Sequence, residues 1–546
     1  MKLVIIGGVA GGASAAARAR RLSENAEIVL FERGPDVSFA NCGLPYFIGG
    51  TIAQRSKLLV TTADRLRARF NIDVRPRCNV EAIDRAAKVV RCRDMATGAE
   101  STESYDKLIL APGAAPIVPP IEGVNLPGIF TLRNLSDADR IKESVDRGVK
   151  QAVVIGAGFI GLELIENFVQ RGIATTCIEL QDQVLPPLDK EMTTPIAEHL
   201  AKKGVRLVLG QSATGFERTG DGLVVRLGSG ERLPAQLVVL GVGVRPEAAL
   251  ATAAGLTLGA TGGIRVDEHL RTSDPDIFAV GDAIEVNDAV LSKPTRIPLA
   301  GPANRQGRIA ADNAFGRTSR YRGTQGAAIV GVFEMTAAAV GASEKTLKRA
   351  GVEFRKIYVH PADHAGYYPG AEGMSLKLLF EPGSGRILGG QIVGGRGVDK
   401  RIDILSVAIQ ARMTVFDLEE MELAYAPQYG SAKDPINMAG FVAAGLLRDE
   451  HPQIAAESLG TVDAMILDVR TAEEFGLGHV PGAINVPVDE LRSRLAELPR
   501  DRDIVAYCQV GQRGYLATRI LTQAGFRVRN LSGGYKTYRM VFPAAR

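Results

Sequence analysis

Short apolar runs alternate with amphipathic stretches from the first residues onward. Lys2 to Ile6 is a β-branched run that predicts a strand, and an Ala/Arg-rich stretch to about Leu22 predicts a helix. Glu27-Ile28-Val29-Leu30-Phe31-Glu32 then reads as a second strand ending in an acid. The same order returns later: Gln151 to Ile155, a helix containing Glu163, then Thr175-Thr176-Cys177-Ile178-Glu179. Leu108-Ile109-Leu110-Ala111-Pro112-Gly113 and Ile277-Phe278-Ala279-Val280-Gly281-Asp282-Ala283 read as buried strands running into turns. Beyond residue 326 the apolar stretches Ser375 to Phe380 and Ile387 to Ile392 alternate with polar loops. Residues 446–457 lapse into Leu-Arg-Asp-Glu-His-Pro-Gln and read as a linker. New strands at 464–470 and 503–507 then open a last unit. Strands alternating with helices imply α/β domains, and 546 residues imply three or four of them.

The loops between these elements carry the first chemistry. Gly7-Gly8-Val9-Ala10-Gly11-Gly12 separates the first strand from its helix, and Gly156-Ala157-Gly158-Phe159-Ile160-Gly161 does the same in the repeat. Such glycines let a helix N-terminus approach a pyrophosphate, while the acid ending the next strand takes a ribose hydroxyl. The second copy is complete; the first has Val9 where the middle glycine is usual. Glu179 suits a free 2′-hydroxyl and no arginine follows it directly, which favours NADH over NADPH while leaving NADPH possible. Two fingerprints suggest two dinucleotides. The Gly281-Asp282 turn, suited to ribityl hydroxyls, marks the first as FAD.

Composition adds mainly exclusions. Apolar residues at 46% and charged residues at 23% describe an ordinary globular chain. A formal charge of +4 without a dense Lys/Arg run argues against nucleic acid. The apolar run at the start is short and glycine-interrupted, so it is read as a strand and not as a signal peptide. No apolar run is long enough to span a membrane. Five scattered cysteines fit a reducing cytoplasm, and neither they nor the six histidines form a metal cluster.

Two cysteines stand out. Cys42 lies in Ser38-Phe39-Ala40-Asn41-Cys42-Gly43-Leu44-Pro45-Tyr46 with no second cysteine two to five residues away. It would act as a lone thiolate exchanging sulfur with an external thiol and electrons with a flavin. Cys508 leaves a strand into Cys508-Gln509-Val510-Gly511-Gln512-Arg513-Gly514 ahead of a helix. Backbone N–H groups, the helix dipole and the Arg513 charge would stabilise a thiolate or persulfide there. Cys78, Cys92 and Cys177 sit in strand-like apolar surroundings and read as structural. His479 reads as structural, and His360 and His364 read as loop residues without chemistry.

Together the two glycine loops, Leu108–Gly113 and the Gly281-Asp282 turn resemble the pyridine nucleotide–disulfide oxidoreductases over residues 1–445. Residues Asp468-Val469-Arg470, 478–487, the Cys508 loop and Gly533-Gly534-Tyr535 resemble a rhodanese domain. The single-cysteine motif joined to a rhodanese is similar to the coenzyme A-disulfide reductase–rhodanese fusions, a branch that includes persulfide and polysulfide reductases. The resemblance implies an α/β chain with two Rossmann-like domains, an α+β dimerisation domain and an α/β rhodanese domain. Its boundaries would be 1–114 with 251–325 for FAD, 115–250 for NAD, 326–445 for dimerisation, 446–457 as linker and 458–546 for rhodanese. It places Gly7, Val9, Ala10, Gly11, Gly12, Glu32, Arg33, Asn41, Ala111, Pro112, Gly113, Gly243, Gly281, Asp282, Pro298, Ala300, Ala303 and Asn304 at the cofactors. Gly156, Gly158, Phe159, Ile160, Gly161, Glu163 and Glu179 join them, Glu163 beside the nicotinamide. Ser14, Arg18, Arg21, Ser38, Asn41 and Lys433 match positions that contact CoA. Tyr367 and Tyr425 match tyrosines that reach the partner subunit's active site of a homodimer. The implied activity is NAD(P)H-driven reduction of CoA persulfide, polysulfide or CoA disulfide through Cys42, with Cys508 handling sulfane sulfur. The alternatives are an NADH oxidase or peroxidase working through Cys42 sulfenic acid, or a sulfurtransferase or sulfur carrier.

Overall fold

The computed structural model describes every residue except Asp221 and 544–546. The chain divides into two units, Met1–Leu180 with Gly204–Gly326, and Gln181–Lys203 with Ala327–Arg546.

In the first unit the opening strand Lys2–Ile6 lies at the centre of a five-stranded parallel sheet. The order is Ile277–Ala279, Lys107–Leu110, Lys2–Ile6, Glu27–Glu32, Asp73–Pro76. Both faces are covered, so Leu3, Val4, Ile5, Leu30 and Ile109 are fully buried, which is why these strands read as unbroken apolar runs. A second parallel sheet repeats the arrangement in the order Arg206–Leu209, Ala174–Glu179, Gln151–Ile155, Leu237–Leu240, Ile129–Thr131. The antiparallel pair Ala114–Pro116 and Val244–Pro246 carries the chain out of the first sheet and back again. Cys78 and Cys92 are buried in an antiparallel appendage, and Cys177 in the second sheet.

In the second unit, Ala328–Val332, Met335–Gly341, Ile387–Gly394, Met374–Phe380 and Arg355–Val359 form an antiparallel sheet. The helix Lys190–Lys202, expected within the 115–250 domain, belongs to this unit. Its partner is Lys377, whose fully buried ammonium meets Asp189 at 2.9 Å, Glu191 at 2.6 Å and Glu344 at 2.7 Å. An ammonium without water needs such anions, so the pull on residues 189–191 comes from a strand nearly two hundred residues away.

The last domain is a five-stranded parallel sheet in the order Gln453–Ile454, Val528–Leu531, Asp503–Tyr507, Ala464–Asp468, Ile484–Asn485. The segment read as a linker is therefore largely structured. The helix Pro435–Leu447 runs into it, and Gln453–Ile454 is the edge strand of the new sheet. A two-residue strand is too short for periodicity to reveal.

Candidate active site

The first glycine loop is built by close approach. Gly7 has φ +98°, and a Cβ there would lie 2.1 Å from the Ala111 carbonyl oxygen, which binds the loop to Ala111-Pro112-Gly113. Val9 has φ −97°, outside the left-handed region that favours glycine, so no positive φ calls for the missing middle glycine. The Gly8 N–H donates to Glu32 Oε2 at 2.8 Å, and in the second copy the Ala157 N–H donates to Glu179 Oε2 at the same distance. Gly156 repeats the role of Gly7, with φ +105° and the Gly241 carbonyl oxygen 2.3 Å from a would-be Cβ. A Cβ on Gly158 would meet nothing within 4 Å, which leaves an open space at the start of the helix Phe159–Gln170.

These residues fit the two dinucleotides. The Gly281 N–H is held by Gln306 Oε1 at 2.8 Å, against the helix Ala300–Ala314 that carries Ala303 and Asn304. That fixes Asp282, whose carboxyl is raised by burial against a smaller opposing pull from Arg133. An enclosed carboxylate at this turn suits a polyol. Arg33 reaches Glu247 at 3.4 Å, and Gly243 has φ +115°.

Cys42 stands on the single turn Asn41–Gly43 that leads into the helix Leu44–Gly49, and it is exposed. Ser38 ties this turn to the glycine loop, since its N–H donates to the Gly8 carbonyl at 2.8 Å and its carbonyl accepts from Val60 at 2.9 Å. The Asn41 amide donates to the Arg133 carbonyl at 3.2 Å. Although the residue reaches solvent, the protein packed around its sulfur desolvates it, and this, then the charges of Glu163 and Asp282, push the Cys42 thiol up from its ordinary range. The chain's own residues therefore favour a thiol, where the sequence suggested a thiolate. Glu163 itself is raised to about 7 by burial, and Tyr46, one helical turn past Cys42, faces it at 3.5 Å with its phenol pushed up to about 12. Close packing sets this cluster: a Cβ on Gly49 would lie 1.8 Å from Asn167 Oδ1 on the helix Phe159–Gln170.

The residues expected to meet CoA are differently placed. On the helix Ala10–Leu22, Ser14 Oγ donates to Asn304 Oδ1 at 2.5 Å and Arg18 pairs with Asp312 at 2.7 Å. Arg21, on the same helix, is exposed. Lys433 is exposed in the second unit. There the Tyr367 and Tyr425 hydroxyls meet at 2.7 Å, joining two loops that the sequence left separate. That bond raises the Tyr367 phenol.

Cys508 is buried just beyond the strand Asp503–Tyr507. Its carbonyl accepts from the Tyr535 N–H at 2.8 Å, and the Gln509 carbonyl accepts from Lys536 at 2.9 Å. Gly534 must be glycine here: it has φ +65°, and a Cβ would lie 2.3 Å from the Cys508 carbonyl oxygen. Gly511, with φ +96°, caps the helix Gln512–Gln523. Arg513 makes a two-pronged pair with Glu474 at 2.7 Å on both arms, so its charge is shared and not free as expected. The Arg513 guanidinium is raised first by Glu474 and further by Cys508, while Glu474 is held at about 2, first by Arg513. Arg470 is buried against Asp468 at 2.6 Å, lies over the Tyr535 ring at 4.4 Å and donates to Gln509 Oε1 at 3.2 Å.

Sequence reasoning missed Glu474, although Thr471 and Glu474 form a capping box that marks a helix start. It also passed over His360, whose Nδ1 meets Ser375 Oγ at 2.9 Å and Nε2 meets Thr537 Oγ1 at 2.8 Å. Burial lowers that ring to about 3.

Residues 1–307 match the model of the pyridine nucleotide-disulphide oxidoreductases, 327–434 that family's dimerisation domain and 451–540 a rhodanese-like domain. The coenzyme A disulfide reductase of Staphylococcus haemolyticus (strain JCSC1435) is 35% identical over 82% of this chain and 100% of its own length. Reduced Bacillus anthracis CoADR-RHD is similar with a TM-score of 0.98 at 47% identity, over 100% of this chain and 98% of that one. An NAD-dependent persulfide reductase from A. fulgidus has a TM-score of 0.93 at 40% identity, over 98% and 100%. The family implies FAD and NAD(P)H. Among the described residues no helix is long and apolar enough to cross a membrane. The chain belongs to the pyridine nucleotide-disulphide oxidoreductases and carries a rhodanese-like domain at its C-terminal end.

Proposed function

We propose that the protein uses NADH, with NADPH as a weaker donor, to reduce CoA persulfide or CoA disulfide through Cys42, while Cys508 handles sulfane sulfur. The observation that carries this reading is one chain holding an exposed lone cysteine tied to the first glycine loop and a second cysteine in a loop with Arg513. Relatives named coenzyme A disulfide reductase and NAD-dependent persulfide reductase support it. The Gly7–Gly12 loop, Glu32 and Asp282 would hold FAD, which when bound would pass an electron pair from the nicotinamide to the thiol site. Cys42 attacks the sulfur–sulfur bond of the substrate, keeps one sulfur-bearing fragment and is then reduced. The reaction balances: CoA persulfide, NADH and one proton give CoA thiol, hydrogen sulfide and NAD⁺. With CoA disulfide the products are two CoA thiols and NAD⁺.

Glu163, raised to about 7, exchanges a proton beside Cys42 at neutral pH. The Tyr367–Tyr425 pair would donate to a departing thiolate in the partner subunit of a homodimer. Ser14, Arg18, Arg21, Ser38 and Asn41 would hold CoA, with Arg18 shared between phosphate and Asp312. The cytoplasm fits this reducing chemistry.

The test is anaerobic NADH oxidation with CoA persulfide and CoA disulfide, comparing wild type with Cys42→Ser. Turnover that depends on Cys42 supports the reading. Turnover with oxygen or peroxide alone would point to an oxidase, and none with NADH would leave a sulfur carrier.

A further inference from the structure

The C-terminal ends of the parallel strands Ala464–Asp468, Asp503–Tyr507 and Val528–Leu531 bring Arg470, Cys508 and Gly533–Lys536 to one end of the last sheet, the end where open α/β sheets hold ligands. Arg470 is neutralised by Asp468 and Arg513 by Glu474. Lys536 is different. Its main-chain N–H is bonded to the Gln509 carbonyl inside the Cys508 loop, yet among the described residues its ammonium has no acidic partner. Burial alone lowers it from its ordinary range. Its Nζ lies at the base of the loop that carries Tyr367, where a Cβ on Gly373 would be 4.0 Å away. One turn on, along the helix Gly534–Val541, Arg539 repeats the pattern with a buried Nε that has no hydrogen-bond partner among the described residues. Residues three apart share a helix face. Two cations partly withdrawn from water, with no anion among the described residues, are costly unless an anion completes them.

We propose that Lys536, with Arg539 behind it, binds the oxyanion tail of the molecule that exchanges sulfur with Cys508. This rests on the sulfur-handling role proposed for Cys508. The oxyanion is a sulfonate if the donor is thiosulfate and a phosphate if it is CoA persulfide. In either case the Cys508 thiolate attacks the outer sulfur and the sulfur–sulfur bond breaks. Sulfite or the CoA thiolate leaves with the electron pair, and Cys508 becomes a persulfide. Lys536 takes no part in bond making; it selects donors by the charge of their tail.

The experiment uses the full-length FAD-loaded protein, with cyanide as sulfur acceptor, and compares wild type, Lys536→Met and Lys536→Arg. Thiosulfate, CoA persulfide and the uncharged-tail persulfide of mercaptoethanol serve as donors. The expected result is a KM for an anionic donor about tenfold higher in Lys536→Met relative to the mercaptoethanol persulfide, with kcat kept within a few-fold and the arginine variant restoring most of the loss. A rise confined to thiosulfate identifies a sulfonate; one confined to CoA persulfide identifies a phosphate. An equal change for all three donors, or no change, overturns the proposal. Calorimetric titration of thiosulfate and CoA into Cys508→Ser and Cys508→Ser/Lys536→Met separates the two claims. If the wild type shows no Cys508-dependent turnover, equal affinities in these two proteins still overturn the Lys536 assignment, and weaker binding in the double variant still supports it.

Discussion

Cys42 and Cys508 are two thiols placed in opposite ways. Cys42 is exposed on a single turn, and the charges around it are those of Glu163 and Asp282. Cys508 is buried in a loop between strand and helix, and it interacts with the Arg513 guanidinium, already shared with Glu474. The first setting resists ionisation, so the thiol must be activated by what binds there. The second encloses its thiol in a loop beside a cation that is already paired with a carboxylate. One site is suited to gaining electrons from a cofactor, the other to carrying a sulfur atom, and the difference lies in the neighbours.

The largest test of that division is deletion of each thiol. Cys42→Ser is expected to lower NADH-dependent reduction of CoA disulfide by about 10³-fold or more, as loss of a nucleophile does. Cys508→Ser should leave that same reaction within about twofold, because a thiol outside a reaction's own nucleophile contributes no covalent step to it. Comparable losses in both, read from initial NADH oxidation, would break the comparison.

Next in size is Arg513→Met. It removes the cation beside Cys508 and leaves Glu474 unpaired, so sulfur transfer to cyanide should fall by about 10²-fold in kcat/KM. Transfer at the wild-type rate would show that the Cys508 loop works without this cation.

A smaller effect sharpens the account of Cys42. As pH rises through about 7, Glu163 loses its proton and adds a negative charge that disfavours the Cys42 thiolate. In Glu163→Gln that charge never forms. Alkylation of Cys42 by iodoacetamide, followed by mass spectrometry against pH, should shift to lower pH and speed up about two- to fourfold at pH 7.5. An unchanged profile would remove Glu163 from the account.

The smallest effect concerns acid stability. Glu474 is held at about 2, below the ordinary carboxylate value of about 4.3. A depressed carboxylate stabilises the fold above its unfolded value, and that contribution is lost as pH falls from about 4.3 toward 2. About a third of each partner's side chain is exposed (32% for Glu474, 35% for Arg513), so screening keeps the term small. Thermal melts between pH 5 and 2.5 should fall slightly less steeply in Glu474→Gln than in the wild type.

What could be read from the chain was whatever a local run encodes. The two strand–loop–helix fingerprints, both thiol motifs and the buried Cys78, Cys92 and Cys177 all lie in short continuous stretches. Val9 looked like a flaw only because a sequence does not show that its φ is negative. The unread features are contacts between distant residues. Lys377 draws the helix Lys190–Lys202 into the second unit, Glu474 answers Arg513 across 39 positions, and the Tyr367 and Tyr425 hydroxyls meet across 58. Burial turned His360 from a loop residue into a bridge between Ser375 and Thr537. None of these has a period or a motif.

The division of labour is tested most directly by following one sulfur atom. Protein would be incubated anaerobically with sulfane-labelled thiosulfate, the excess removed, then CoA and NADH added, and label counted on each cysteine and as free sulfide. The account predicts label on Cys508 before CoA and NADH are added, label held as sulfane sulfur on Cys508 or CoA in Cys42→Ser, and NADH-dependent sulfide only when Cys42 is present. Labelled sulfide released by NADH from Cys42→Ser would contradict it.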